Sequence, residues 1–570
     1  MPSLEHFRQR LSHVDALPQL VILGIIAGLC TGLVILLFRL AIEQSQQWLL
    51  PSGLSEHFES LAPWQRFSFP VIGSLILIAL ITAIPRASRS VGIPHLLERL
   101  NYHQGRLSFA DLLSQFVGAT VSLAGGHSVG REGPTVYLGG CCGSLIGQRM
   151  KLPDNTLRVL IGCGSAASIS AVFNTPLAGV IFAMEVILLE YSILGFIPVI
   201  VSAVVADVTV QLVIGHAAEL NLPMLSADIL PELPLLLILG LAIGLVAAAF
   251  IYTLQQTLRL RRTPLPVRLL IAGVLAGMVS MAVPEVMGTG YDSIERLFEA
   301  PIVLELLLLL LLCKTLLTPF VIGLGIPGGI IGPSLVIGAL SGALLAGFAQ
   351  HLGFDMPIDL FATVGMGAMM GAVLNAPLAA LIALLELTDN SAILLPGMIA
   401  IVVSNLSLRS LFKRPSAFQA ILEAQGLDIN QAPLAQALSR AAVGSLLERD
   451  VIGTPALITA AEADRLLKQA PRWFLIEQGE ENALLPMGDL ARWLDKHPPE
   501  RDDLCIELMQ IPAGRQEAIP IYSRATLHEA WESMAAHGVN VLLVISNQGS
   551  PLGVIRRSRI EEYYNHRQAL

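Results

Sequence analysis

Glu132 lies in GREGP at 130–134, an acid among apolar segments. A carboxylate at mid-membrane costs about 2.5 to 3.5 kcal/mol on insertion scales, so an acid placed there is a functional candidate by default. The same motif belongs to a set of Gly-rich turns, each followed by Pro near the start of an apolar stretch: SVGIP at 90–94, GREGP, and GIPGGIIGP at 325–333. Pro suits the first helical turn because it has no N–H to leave unsatisfied, and Gly lets a ligand approach the backbone. The free N–H groups of a helix start, carrying about half a positive charge from the macrodipole, attract anions. Three such starts make an anion site without a lysine, and dipoles release an ion that a fixed ammonium in low dielectric would retain. Ionised, Glu132 can occupy such a site and exclude the ion; protonated, it gains nothing there and can leave. It would then be both gate and proton carrier. Two structural readings stand beside this one: a salt bridge with Arg131, or a helix-terminal charge pairing.

The elements that must position these residues follow from composition. The chain has 570 residues, 54% hydrophobic and 14% charged, with a mean hydropathy of +0.67, where soluble domains carry about 25% charged residues. An ordinary soluble enzyme is excluded, and a mainly α-helical polytopic membrane protein is implied. The net charge of −9 and the lack of a long basic tract argue against nucleic acid as a partner. Cys30, Cys141, Cys142, Cys163, Cys313 and Cys505 form no C-x-x-C, so neither a metal site nor a disulfide framework is expected. Residues 1–17 are polar, with no cleaved leader expected. Apolar segments follow at 18–38, 67–84, 107–124, 134–148, 156–173, 176–189, 194–214, 229–252, 267–283, 301–322, 333–349, 359–373, 376–386 and 391–408. A simple span needs about 20 apolar residues, so segments such as 134–148 and 176–189 should be tilted, partial or broken helices buried among others. Charged residues become frequent beyond Arg409, Lys413 and Arg414. The organisation read here is a segment 1–17, a membrane domain 18–425, and a soluble region 426–570. Cationic clusters at Arg8/Arg10, Arg86/Arg89, Arg259/Arg261/Arg262 and Lys413/Arg414 put both termini on the cytoplasmic side of a cell membrane.

The chain repeats itself. GREGPTVYLGG at 130–140 lies against GIIGPSLVIGA at 329–339, and FNTPLAGVIFAMEV at 173–186 against LNAPLAALIALLEL at 374–387, at nearly constant offsets of 199 and 201 residues. Asn174/Asn375, Pro176/Pro377, Leu177/Leu378, Ala178/Ala379, Ile181/Ile382 and Glu185/Glu386 are identical pairs. Repeats with Gly/Pro-interrupted segments at corresponding positions point to a transporter whose binding site lies where the halves meet. Helix packing by small residues is the plainer reading of the same glycines.

SVGIP, GREGP, FNTPLAG, GIPGGIIGP and LNAPLAA, in this order and spacing, resemble the CLC family of chloride channels and chloride/proton antiporters over roughly 18–425. The resemblance implies the CLC fold of two inverted helical repeats with broken helices, and a homodimer in the bilayer with one anion pathway per subunit. It implies chloride as the transported ion, Glu132 as the gating residue, and backbone donors at Arg131, Glu132, Gly133, Ile330 and Ile331. Positions 91–93 (Val91, Gly92, Ile93) and Phe418 fall at the central anion. The family's serine of GSGIP is Val91 here, its tyrosine of the last membrane helix aligns with Phe418, and GxFxP has become Gly329-Ile330-Ile331-Gly332-Pro333. The second, inward-side glutamate of many antiporters falls at Val186, one residue after Glu185. With Val91 and Phe418 the central site keeps only backbone donors and gains apolar walls, so a weaker site is expected.

Chloride/proton antiport is the reading adopted here, because the gating glutamate is retained; passive conduction is the alternative, because of Val186. Protons would reach Glu132 through water or by Glu185. Glu185 has its repeat partner Glu386, which equally suits a structural role for both, capping or pairing near a helix end. His127, just before GREGP, is expected as a loop residue at the pore mouth. An intramembrane enzyme would need a nucleophile or metal set. Ser128 with His127 supplies no such cluster, so no enzymatic activity is expected.

Residues 519–565 read as strand IPIY, helix TLHEAWESMAAHG, strand VNVLLVIS, turn NQGS, strand PLGVIR and helix SRIEEYY, with 443–494 a weaker copy. This resembles a cytoplasmic α/β CBS-domain pair, at about 443–494 and 512–565, a module that commonly binds adenine nucleotides. The nucleotide-contacting Thr and Asp positions are Arg556 and Arg559 in the second copy and Pro486 and Asp489 in the first, so only Asp489 matches. A degenerate or dimer-stabilising module is at least as well supported as a nucleotide sensor. A membrane sensor driven by this region is a further alternative function.

Overall fold

The computed structural model describes residues 17–51, 53, 56–83, 92–190, 193–215, 229–299, 303–354, 356–427, 433–439, 441–478, 481–497, 505–546 and 548–568. Val91 and residues 1–16 lie outside them. Two compact units emerge: Leu20–Met150 with Leu157–Ile429 forms one, and Asn430–Leu570 the body of the other.

Among its described residues the first unit is all helical. Its first half runs through α1 (Leu17–Leu49), α2 (Pro63–Ala83), α3 (Ile93–Tyr102), α4 (Phe109–Ala124), α5 (Glu132–Arg149), α6 (Asp154–Phe173), α7 (Pro176–Phe182) and α8 (Ile193–Ile214). The second comprises α9 (Ile229–Leu258), α10 (Leu265–Ala282), α11 (Tyr291–Glu299), α12 (Leu304–Leu324), α13 (Ile331–His351), α14 (Ile358–Leu374), α15 (Pro377–Thr388), α16 (Leu394–Leu406) and α17 (Ala417–Glu423). Among the described residues, nine helices are long and apolar enough to cross a membrane.

Two sequence readings need correction and a third is met. The first segment extends well past Phe38, because the amphipathic stretch to Leu49 continues the helix without a Gly or Pro to stop it. The 134–148 segment is neither partial nor broken: α5 is continuous over 18 residues and buried nearly all round. The 176–189 segment does break, with α7 giving way to a π-helical turn at Ala183–Leu188 that ends on Leu189 in the left-handed region.

The repeat explains the packing. Glycines let the backbones of α5 and α6 touch: a Cβ on Gly139 would strike the carbonyl of Gly164, and one on Gly143 the carbonyl of Leu160. The second half does the same, Gly338 against Gly365 and Gly342 against Phe361. Small residues at such crossings replace the hydrophobic effect, which is absent between helices in lipid, with close van der Waals contact. After α6 and α14 the chain turns through Asn174 (φ 57°) and Asn375 (φ 58°). Asn tolerates the left-handed region better than other side chains, which accounts for that identity in the repeat.

The second unit carries two β-α-β-β-α runs, the first with an additional short strand before its helix. The first comprises β1 (Val451–Pro455), β2 (Leu457–Thr459), α19 (Ala460–Lys468), β3 (Trp473–Gln478), β4 (Glu481–Pro486) and α20 (Met487–Lys496), following a short α18 (Pro433–Ser439). After β5 (Cys505–Glu507) and β6 (Gln516–Glu517) comes the second: β7 (Pro520–Tyr522), α21 (Leu527–His537), β8 (Val541–Ile545), β9 (Pro551–Arg556) and α22 (Arg557–Gln568). In each run a parallel pair (β1 with β3, β7 with β8) adjoins an antiparallel one (β3 with β4, β8 with β9). Helix starts are set locally. Thr459 and Glu462 form a capping box on α19, and the bonds from Thr459 hold the exposed Glu462 carboxyl below the usual carboxylate range. Thr526 caps α21, which stops at Gly538 in the left-handed conformation.

Candidate anion site and gate

Helices α3, α5 and α13 begin at the three Gly-Pro motifs. Gly92, with φ 90°, turns the chain into α3, a conformation that side chains strain to adopt. The other two turns are joined directly: the Gly130 N–H donates to the Gly329 carbonyl at 2.8 Å and the Gly329 N–H to the Gly130 carbonyl at 2.7 Å. The repeated motifs, 199 residues apart in the chain, therefore meet at a two-bond bridge.

The Glu132 side chain is fully buried at this bridge. Its Oε2 accepts the Gly332 N–H at 3.0 Å, in the first turn of α13. Its Oε1 accepts the hydroxyl of Tyr291. Gly332 is required for this approach, since a Cβ there would lie 2.7 and 2.8 Å from the two carboxylate oxygens. The carboxylate thus occupies a helix start of the other repeat, held by donors as an anion would be. The Arg131 guanidinium carbon stands 5.7 Å from the centroid of the Tyr291 ring. Phe173 meets the same ring edge-on at 6.5 Å. The loop leading to Tyr291 is pinned from α12 by Lys314, which is wholly buried and donates to the Val286 and Gly288 carbonyls at 3.3 Å each.

A cavity of about 830 Å³ lies within the same unit. Gly92, Ile93, Gly133, Gly329, Ile330 and Phe418 all line it, so the backbone of the three helix starts and the Phe418 ring share one space. Ile331 is buried as the first residue of α13. Phe418 sits on α17, whose start is capped by the Ser416 hydroxyl accepting from the Gln419 N–H at 3.3 Å.

Glu185 and Glu386 lie apart from Glu132 and do one thing twice. Glu185 accepts from the Ala379 and Leu378 N–H groups at 2.8 and 3.3 Å, at the start of α15. Glu386 accepts from the Ala178 and Leu177 N–H groups at 2.7 and 2.9 Å, at the start of α7. Each repeat caps the half-helix of the other, a self-complementary exchange of the kind a two-fold relation requires. Val186, in the π-helical turn, is buried among apolar residues. His127 lies in a loop, as expected, and is fully buried there, with Nε2 3.3 Å from the Ser74 hydroxyl.

Tyr291, Lys314 and Gln115, the last a buried residue of α4 that lines the cavity, escaped the sequence reading. For two of them a signal existed: a lysine in an otherwise uncharged run of 12 leucine-rich residues, and an amide interrupting the 107–124 apolar segment. Tyr291 offers none, since it lies outside the repeat and reaches Glu132 only through tertiary packing.

A family model, voltage gated chloride channel, matches residues 72–409. The chain belongs to this chloride channel family. It is 34% identical over 396 residues to a ClcB-like protein of Ralstonia nicotianae, covering 66% of this chain and 91% of that relative. It is 29% identical over 411 residues to the H(+)/Cl(-) exchange transporter ClcA of Vibrio vulnificus, covering 69% and 86%. Among solved structures, a slow cyanobacterial Cl-/H+ antiporter superposes with a TM-score of 0.64 at 25% identity, over 71% of this chain and 97% of that one. A eukaryotic CLC transporter superposes with a TM-score of 0.60 over 95% of this chain and 97% of that one; at 18% identity it speaks to fold alone. For a member of this family the mainly helical polytopic membrane fold follows, with a strand-containing unit after it.

Proposed function

We propose that this protein exchanges chloride for protons across a membrane, with Glu132 as the gate that carries the proton. One observation bears most of the weight: the Glu132 carboxylate accepts the Gly332 N–H at the start of α13, filling a place built for an anion. Protonation removes the charge that these donors favour, so the side chain leaves and an anion replaces it. Likeness to the exchange transporter ClcA and to a cyanobacterial Cl-/H+ antiporter supports exchange. On the inward side, Glu185 is engaged as a helix cap, so protons would reach Glu132 through water in the cavity, whose wall includes the adjacent Gly133. The anion is held by backbone at 92–93, 131–133 and 330–331, with the Phe418 ring as an apolar wall.

The reading extends to a homodimer in the cell membrane, both termini cytoplasmic, with a complete pathway in each subunit. Its support is that gate, cavity and all three helix starts come from one chain. The C-terminal unit is a CBS-type pair in which nucleotide binding is lost. Arg556 clamps the Glu448 carboxylate with bonds of 2.7 to 3.0 Å, and Arg559 lies 3.6 Å from it. Asp489 accepts from Arg492 and from the Gly514 N–H, both at 2.9 Å. The positions that would contact a nucleotide thus serve the unit's own structure. The test of exchange uses wild-type protein in chloride-loaded vesicles: chloride efflux should draw protons inward and raise the bath pH, and efflux at constant bath pH would refute it.

A further inference from the structure

Among the fully buried side chains that line the cavity is a polar one that nothing so far accounts for. Gln115 on α4 has no exposed surface, and both its Nε2 and its Oε1 lack a hydrogen-bond partner within the protein. A buried polar atom left unsatisfied costs about 1–3 kcal/mol, so the amide must be met by something in the space it lines. His95, the other deeply buried polar side chain of that lining, is already engaged, with Nδ1 2.8 Å from the Tyr137 hydroxyl and Nε2 accepting from Arg99 at 3.1 Å. What enters the cavity must also suit its remaining lining: the starts of α3, α5 and α13, whose dipoles present positive ends, the more exposed Glu98, Arg261 and Arg268, and the ring of Phe418, which donates nothing. A small anion satisfies those helix starts and the amide at once. The amide has two N–H donors and turns about its last bond to present them, leaving Oε1 to a water.

We propose that Gln115 is the side-chain donor to the anion in this cavity and sets its affinity and selectivity. This rests on the reading of the cavity as the chloride path. Without Gln115 the buried part of the cavity offers the anion backbone N–H groups and apolar walls, the charged side chains of the lining (Glu98, Arg261 and Arg268) being its more exposed ones, which favours large, weakly hydrated anions over chloride, because they lose less on desolvation.

The test compares wild type with Gln115→Met, which keeps the shape and removes both polar atoms, and Gln115→Glu, which keeps the shape but is acceptor-only when ionised. Chloride binding is measured by calorimetry on the purified full chain, and the chloride concentration for half-maximal flux is measured in vesicles together with proton movement. Gln115→Met should weaken chloride about tenfold in both assays and shift preference toward thiocyanate, and Gln115→Glu should weaken chloride further at neutral pH. Unchanged affinity and anion order in Gln115→Met would overturn the proposal and leave the amide to water alone. If that variant fails to fold, Gln115→Glu decides: chloride affinity equal to wild type overturns it. Failure of the exchange reading is separately visible, as absent proton movement in wild type.

Discussion

At the scale of the residue, Glu132 is stabilised in its buried position by one backbone and one phenolic donor. A hydrogen bond to a charged group contributes about 1.5–3 kcal/mol, so Tyr291→Phe should loosen the closed gate and raise the chloride efflux rate roughly tenfold; a rate at or below wild type would contradict the role given to the phenol. The proposed gate was legible in the sequence, since GREGP puts an acid at an apolar helix start and its own charge suggests what it would do there. Tyr291 was not legible, because no periodicity or repeat links position 291 to position 132. For Glu185 the residue type and its repeat partner allowed a cap or a proton relay, and the reach of its carboxylate to the Leu378 and Ala379 N–H groups is what supports the cap.

At the scale of the element, two half-helices start by borrowing a carboxylate from the opposite repeat. Removing one leaves N–H groups at a helix start uncapped, at a cost of about 1–2 kcal/mol. Glu185→Ala and Glu386→Ala should therefore each lower the thermal midpoint by a similar few degrees while proton coupling persists. Loss of coupling in Glu185→Ala alone, with the midpoint unchanged, would restore the relay reading. The glycine crossings make a sharper expectation. Gly338→Ala places a methyl against the backbone of Gly365, and helices forced apart there should cost on the order of 1–3 kcal/mol and reduce the yield of folded protein, measured by size-exclusion profile; an unperturbed profile and midpoint would show that the helices separate freely. These contacts could be anticipated as small-residue packing, and the asparagine turns could be anticipated from the identical Asn in both repeats. The length of α1 and the continuity of α5 were harder, because hydropathy reports where lipid or protein interior is tolerated and says little about where backbone hydrogen bonding stops.

At the scale of the whole molecule, the membrane unit and the C-terminal unit answer different questions. In the latter, Glu448 gathers Arg472, Arg556 and Arg559, a network that includes two of the positions that would contact a nucleotide in the proposed CBS-type pair. ATP or AMP should leave the thermal midpoint of the full chain unchanged, and Glu448→Ala should lower it, losing on the order of 2 kcal/mol as the guanidiniums lose their shared partner; a nucleotide-dependent rise would overturn the degenerate reading. The strands and helices of this unit were readable because alternation, caps and glycine stops are local signals, whereas the Glu448 network joins residues about a hundred positions apart. The membrane unit carries the central claim, that the carboxylate of Glu132 is both the plug and the proton carrier. The most direct measurement records chloride efflux and bath pH together from vesicles bearing Glu132→Gln. Chloride flow that persists while proton movement disappears is the expected result; proton movement that continues at the wild-type ratio would contradict it.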